Sequence, residues 1–345
     1  MATQQVIFVR GRTNKDYPWR YFHFHPTQEV DPGPVQLVYF DYPEGKRKTW
    51  SNWVPKRGAA PARPHDDEVD LQPTIFFHED DGVLSQVKKP SILALYDYVK
   101  AQPPASVLSL QFFSHGDWNG PVLWSESYEF SEHPDFDGNP NRERDANDTE
   151  PRVRDFFGRN PLSGPNGGDF ARAFTAQPLV KLWGCNGNDS MLKLVHDYQR
   201  APRGEKGEKE RRILLRSYLN ALLDTYAVNL AFTLGRTVWA VPLGWSSRAN
   251  PPPHRPYKPT FPPDLSRQRW WSLPGFLAAD RKFYQVVLGA PLDKTGFVGY
   301  QVEWFDHVNR NLRAPDIRSG LTSPQELQQR LLDRIEELAG GAGLA

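Results

Sequence analysis

Cysteine is nearly missing from this chain, with one residue, Cys185, among 345. A lone thiol closes no internal disulfide, so the fold is not expected to need an oxidising compartment. A surplus of one charge is missing as well. The 42 Lys and Arg residues against 41 Asp and Glu leave a net charge of +1, and no global field that would gather nucleic acid or an acidic membrane surface. No apolar run approaches the roughly 18 residues of a spanning helix. The N-terminal stretch MATQQVIFVRGRTNKD lacks the long apolar core of a secretory signal. A cytoplasmic protein is therefore expected, with export by a route that reads no N-terminal signal left open. There is no HExxH, no paired CxxC, no Walker-type glycine loop and no Gly-x-Ser-x-Gly elbow. No internal repeat is visible.

The residues that are present describe a folded chain. Hydrophobic residues make up 39% and charged residues 24%, the balance of a soluble globular protein with material for one large domain or two modest ones. The 32 prolines accompany 11 Trp, 13 Tyr and 20 Phe. That pairing suggests long ordered loops rather than disorder. Residues 1–85 read as a β-rich N-terminal extension packed on the core, with strand candidates at Val6–Val9, Arg20–His25, Val35–Phe40 and Thr74–Phe77 and a Pro/Ala/Arg/Asp-rich loop over 54–73. His23 and His25 share one face of their strand, but no third metal ligand accompanies them. The clusters around His65 and His78 read as polar loops.

From residue 90 the pattern becomes helix, then buried strand. Ser91 caps a helix carrying Ile92, Leu93, Leu95, Tyr96 and Val99, and Pro103-Pro104 stops it. A continuously apolar strand, 106–113, follows directly, which is the pattern of an α/β layer with a mainly parallel sheet flanked by helices. Residues 131–168 form a long polar loop, the kind that is usually functional, mobile or both, and Gly168–Phe174 allows a helical turn or two. A strand over 178–184 precedes a helix starting near Asn188-Asp189-Ser190. Residues 201–212 read as an exposed linker open to proteolysis, followed by a helix from about 209 to 234. Thr237–Pro242 and Phe283–Leu288 are further strand candidates. The proline-rich stretch 248–264 reads as a stiff structural loop, and Ser323 with Glu326 opens a last helix by a capping box. The core domain spans 86–310, and 311–345 form a C-terminal helix and tail.

Two segments carry the chemistry. Leu108–Phe113 runs into Ser114-His115-Gly116-Asp117, and Leu179–Trp183 runs into Gly184-Cys185-Asn186-Gly187. Ligands collect outside the carboxyl ends of parallel strands, so two such strands would bring an imidazole and a thiol to one crevice. The about 70 residues between them exceed the dozen that a crossover needs. A helix starting just after Cys185 favours its thiolate. His115 can take or return the proton. The N–H groups of Gly116 and Cys185 would form an oxyanion hole, commonly about 3–4 kcal/mol per donor.

An apolar block ending in His-Gly, then a second ending in Gly-Cys, resembles the caspase-like clan of cysteine peptidases, which holds caspases, metacaspases, legumains, gingipains and separases. Ser114-His115-Gly116-Asp117, with Gly120 and the apolar Val122-Leu123 after it, resembles the caspase pattern Ser-His-Gly-Glu, Gly and an apolar pair. The resemblance covers roughly residues 90–245. It implies a His115–Cys185 dyad, oxyanion donors at Gly116 and Cys185, no cofactor and no metal. Metacaspases and their relatives carry an Asp two residues before the cysteine to bind a basic P1 side chain; Trp183 stands there, so cleavage after Arg or Lys is not expected. Trp183 packs in the core or walls a substrate pocket, and Asp117, Trp118 and Trp124 are further substrate-binding candidates. The expected activity is a cysteine endopeptidase acting on a protein substrate, compatible with a bacterial effector or toxin whose producer holds an inhibitory or immunity partner. The alternatives are a non-catalytic binding module on the same scaffold, and a thiol-dependent amidase or acyltransferase.

Overall fold

The computed structural model describes residues 3–12, 33–54, 61, 63–80, 83–117, 119–124, 144, 148–184, 189–243, 246–247, 259–260, 283–293 and 297–301. The chain divides into two compact units, Met1–Gly116 with Gly120–Gly184, and Asp117–Asn119 with Cys185–Ala345.

The first unit contains β1 (Gln5–Arg10), β2 (Val35–Asp41), β3 (Lys46–Trp53), β4 (Asp67–Asp70), β5 (Pro73–Asp80), β6 (Val83–Pro90), α1 (Leu93–Lys100), β7 (Val107–Phe113), β8 (His115–Asp117) up to Gly116, β9 (Gly120–Val122), α2 (Gly164–Arg172) and β10 (Phe174–Leu182). Its main sheet runs β10-β7-β1-β2-β3-β4. The block β10-β7-β1-β2 is parallel, while β3 and β4 are added antiparallel at the β2 edge. The unit is therefore α/β with a mostly parallel sheet. β5 with β6, and β8 with β9, form separate two-stranded sheets. In sequence order the parallel strands lie second, first, third, fourth. The order reverses between β1 and β7, and a sheet of this kind opens its crevice at that point, beyond the carboxyl ends.

Residues 1–85 do more than pack on this core. β1 is hydrogen-bonded between β2 and β7, so the N-terminal residues supply half of the parallel block. Both faces of the block are buried, as expected of parallel strands. One face is largely apolar, with Ile7, Val9, Val38, Phe40, Leu110, Phe112, Val180 and Leu182, and carries one buried polar residue at its start, Gln5, which accepts from Tyr98 at 3.0 Å. On that side Tyr98 of α1 meets Phe40 edge-on at 5.5 Å between ring centroids, and Tyr96 meets Phe170 of α2 at 5.8 Å. The opposite face mixes Val6, Phe8, Leu37, Leu179 and Trp183 with Asp41, Ser109, Gln111 and Lys181, all buried. The N-cap of α1 is Ile92, and Ser91 one residue earlier accepts the Leu93 N–H on its Oγ at 3.3 Å.

The second unit holds α3 (Asp189–Arg200), α4 (Glu205–Leu223), α5 (Tyr226–Leu234), β11 (Val238–Ala240), β12 (Ser246–Ser247), β13 (Pro259–Thr260), a π-helix (Phe283–Leu288) and β14 (Val298–Tyr300). β11 pairs antiparallel with β14, and β12 with β13. Among the described residues, no helix is long and apolar enough to cross a membrane.

Several sequence expectations need correction. The charged stretch 201–212 is mostly helix, because α4 already begins at Glu205. Glu205 and Glu208 lie in its first turn, where the exposed N–H groups favour negative charge, and Arg211 reaches the carbonyls of Ala201 at 3.0 Å and Pro202 at 3.2 Å. The helix foreseen over 209–234 is two helices. Thr225 breaks it, its Oγ1 donating to Leu222 O at 2.8 Å and accepting the Val228 N–H at 3.4 Å, which caps α5. Phe283–Leu288 is a π-helix and not a strand. Phe283, Tyr284 and Leu288 are buried while Gln285 is exposed, a pattern without period-two alternation. Residues 164–172 are helical, and Phe174 already belongs to β10. The expectations for Arg20–His25, 251–258 and 323–337 fall outside the described residues.

Candidate active site

β7 ends at Phe113, and Ser114 separates it from His115, the first residue of β8. His115 thus stands at the carboxyl end of the strand beside the reversal in strand order. It is half-buried. Its backbone N–H donates to Arg12 O at 2.7 Å, so the extension of β1 holds it from one side.

β10 approaches from the other side. Beyond its last ladder position, the Trp183 N–H still donates to Phe112 O at 2.9 Å. The next residue, Gly184, lies flat against the His-Gly peptide. A Cβ at 184 would stand 3.0 Å from both Gly116 Cα and Gly116 N and 3.1 Å from His115 C. A side chain here would force these backbone atoms apart by a few tenths of an ångström, and glycine avoids that. The two motifs, separate in sequence, therefore meet through their glycines.

Cys185 and Trp118 lie outside the described residues, as does the side chain of Asp117. Trp183 is 1% exposed. Its Nε1–H donates to Gln111 Oε1 at 3.1 Å, and Lys181 Nζ lies 4.2 Å from its ring centroid. Of the two roles foreseen for Trp183, core packing is the one this burial fits. Trp124 is also engaged structurally. Its Nε1–H donates to Pro90 O at 3.0 Å, its ring meets Tyr42 edge-on at 6.4 Å, and Lys89 Nζ stands 5.5 Å from the ring.

Sequence reasoning missed the charged cluster behind this hairpin. Glu150, 3% exposed, accepts the Leu123 N–H at 2.5 Å and the Trp124 N–H at 2.8 Å. Arg144 pairs with Asp155 and donates to the carbonyls of Asp148 at 2.6 Å and Glu150 at 2.5 Å. Tyr96 of α1 donates to Asp155 at 2.8 Å. Burial opposes ionisation of Asp148, but Arg152 and Arg144 outweigh it and hold its carboxyl below the usual range. Burial pulls the Lys89 ammonium down, with Arg12 adding to the effect and Glu150 opposing it. Nothing periodic marks these residues, since they sit in the polar stretch between 131 and 168 and pair across distances that pattern reading does not reach.

No protein-family model, no curated protein and no solved structure matches this chain.

Proposed function

We propose that this protein is a caspase-like cysteine peptidase, with Cys185 as nucleophile and His115 as acid and base. The observation that carries the reading is the seat of Gly184 on the His115–Gly116 peptide, at the carboxyl ends of parallel strands. Cys185 follows Gly184 in the chain, and consecutive Cα atoms are only about 3.8 Å apart.

In this reading the Cys185 thiolate attacks the carbonyl carbon of a peptide bond, and a C–S bond forms. The carbonyl π pair moves to oxygen, where the N–H groups of Gly116 and Cys185 receive it. The imidazolium of His115 gives its proton to the nitrogen as the C–N bond breaks, and the amine leaves. Water then attacks the thioester, His115 accepts one of its protons, and the C–S bond breaks to release the thiolate and a carboxylic acid, which loses its remaining proton to solvent. No cofactor enters. Asp117 and Trp118 are the proposed substrate contacts beside the oxyanion donors, and the substrate is a protein.

The test is a peptide mixture digested with the full chain and scored by new N-termini. New termini are expected with the wild type and none with Cys185→Ala or His115→Ala. Iodoacetamide should label Cys185 faster than a free thiol of pKa about 8.5, and His115→Ala should remove that advantage. Cleavage surviving in Cys185→Ala would place the nucleophile elsewhere. Slow labelling without cleavage would leave the binding module.

A further inference from the structure

The exit of β9 is gripped from two sides. On one side Glu150 spends one carboxylate oxygen on the Leu123 N–H and the other on the Trp124 N–H, at 2.5 and 2.8 Å. On the other side the Arg12 N–H donates to Val122 O at 3.1 Å, and Arg12 Nη1 donates to Trp124 O at 3.2 Å. The carbonyl of this same Arg12 accepts the His115 N–H at 2.7 Å. There is little slack between these pieces. A Cβ on Gly11 would fall 2.5 Å from Val122 O and 2.8 Å from Ser114 Cβ.

Glu150 is itself fixed. Its N–H donates to Asp148 Oδ1 at 3.0 Å, and its carbonyl accepts from Arg144 Nη2 at 2.5 Å. The chemistry calls for a carboxylate at this point. Two adjacent amide donors need two acceptors, and an amide side chain would turn an N–H toward one of them. Bonds from backbone N–H to an ionised carboxylate are also the stronger kind.

We infer that Glu150 is a positioning residue for His115: its carboxylate fixes the peptides of 122–124, these fix Arg12, and the Arg12 carbonyl fixes the His115 backbone. Its catalytic meaning rests on His115 being the acid and base proposed above. The geometric claim is separate and has its own readout.

The experiment uses full-length wild type, Glu150→Gln and Glu150→Ala. Amide hydrogen exchange is followed at Leu123, Trp124 and His115, the His115 ring signals are recorded by NMR, and iodoacetamide labelling of Cys185 is timed. In Glu150→Ala, exchange at all three amides should accelerate at least about tenfold, and the ring signals should move. The His115-dependent part of labelling should fall about 10- to 100-fold, the scale of a displacement of about 1 Å. Glu150→Gln should fall between, and it carries the test if the alanine variant does not fold. A purely structural role predicts a lower unfolding midpoint with His115 exchange, ring signals and labelling unchanged, and that result would overturn the inference. If wild-type labelling never depends on His115, the peptidase reading fails, while the exchange and ring signals still decide whether Glu150 positions His115.

Discussion

Gly184→Ala adds a single methyl group where three backbone atoms already crowd. The new Cβ would lie 3.0 Å from Gly116 Cα, 3.0 Å from Gly116 N and 3.1 Å from His115 C, where ordinary contact begins at 3.4 Å. Backbone cannot rotate aside as a side chain can, so β10 and the His-Gly peptide must part by several tenths of an ångström. Neither is free to do so. Trp183 N–H is bonded to Phe112 O at 2.9 Å and His115 N–H to Arg12 O at 2.7 Å, and the shift stretches one or both. Overpacking of this kind costs about 1–3 kcal/mol. Urea unfolding measures that cost, and the iodoacetamide rate at Cys185 measures the effect on the proposed dyad. Gly168→Ala is the control. It lies within α2, a Cβ there meets nothing within 4 Å, and relief of glycine's entropy should stabilise by about 0.4–1 kcal/mol. If Gly184→Ala matches the wild type in stability and labelling while Gly168→Ala behaves as expected, the close approach of the two motifs is not real.

Two further perturbations probe buried charge. His196 on α3 is 2% exposed, and burial, with Arg200 adding to it, pulls its pKa down to about 4. Its folded pKa lies below the unfolded value, so stability is fully present above about pH 6.5 and is lost as pH falls toward 4. The loss by pH 4 is at most about 3 kcal/mol. His196→Gln should flatten unfolding free energy measured between pH 7 and pH 4 by that amount. Arg144→Met leaves Asp155, 0% exposed, without its ion-pair partner and should cost about 3–5 kcal/mol. Adding Asp155→Asn should recover part of that loss, read as the unfolding midpoint in the double variant.

The parallel strands were legible because burial on both faces leaves a simple mark, and the runs at Val6–Val9, Val35–Phe40, 106–113 and 178–184 each hold a strand, although β10 begins at Phe174 and ends at Leu182. Their order was not. The placement of β1 between β2 and β7 arises from pairing between residues about 100 apart, as in Phe8 with Gln111, and local pattern is silent on such distances. Helix ends failed where side chains make the decision. Thr225 splits α4 from α5 by capping, although the apolar spacing continues through it. At the site, His-Gly and Gly-Cys stood out because each puts a chemically reactive side chain beside a glycine at the end of an apolar run. Glu150 did not stand out, because its two partners are backbone amides, and a backbone amide has no signature in sequence.

The same contrast explains the polar face of the parallel block. A sheet buried on both faces could carry apolar residues throughout, and the face under α1 does so from Ile7 to Leu182, with Gln5 at the strand start as its buried polar exception. The other face instead joins neighbouring strands by paired polar groups. Arg10 and Asp41 are direct register partners on β1 and β2 and are bonded at 3.1 Å. Lys181 stands opposite Gln111 on β10 and β7, and Trp183 donates to that Gln111 at 3.1 Å. Such groups add little net stability, since each must be desolvated. They do penalise misalignment. Sliding a strand by one residue turns its whole side-chain set to the other face, and here it would strand a charge among Phe40, Phe112 and Leu182. Aliphatic strands alone would resist such a slip far less. The register is what brings Gly184 to the His115–Gly116 peptide rather than one residue before or after it, so the buried polar pairs and the bare glycine serve one geometry.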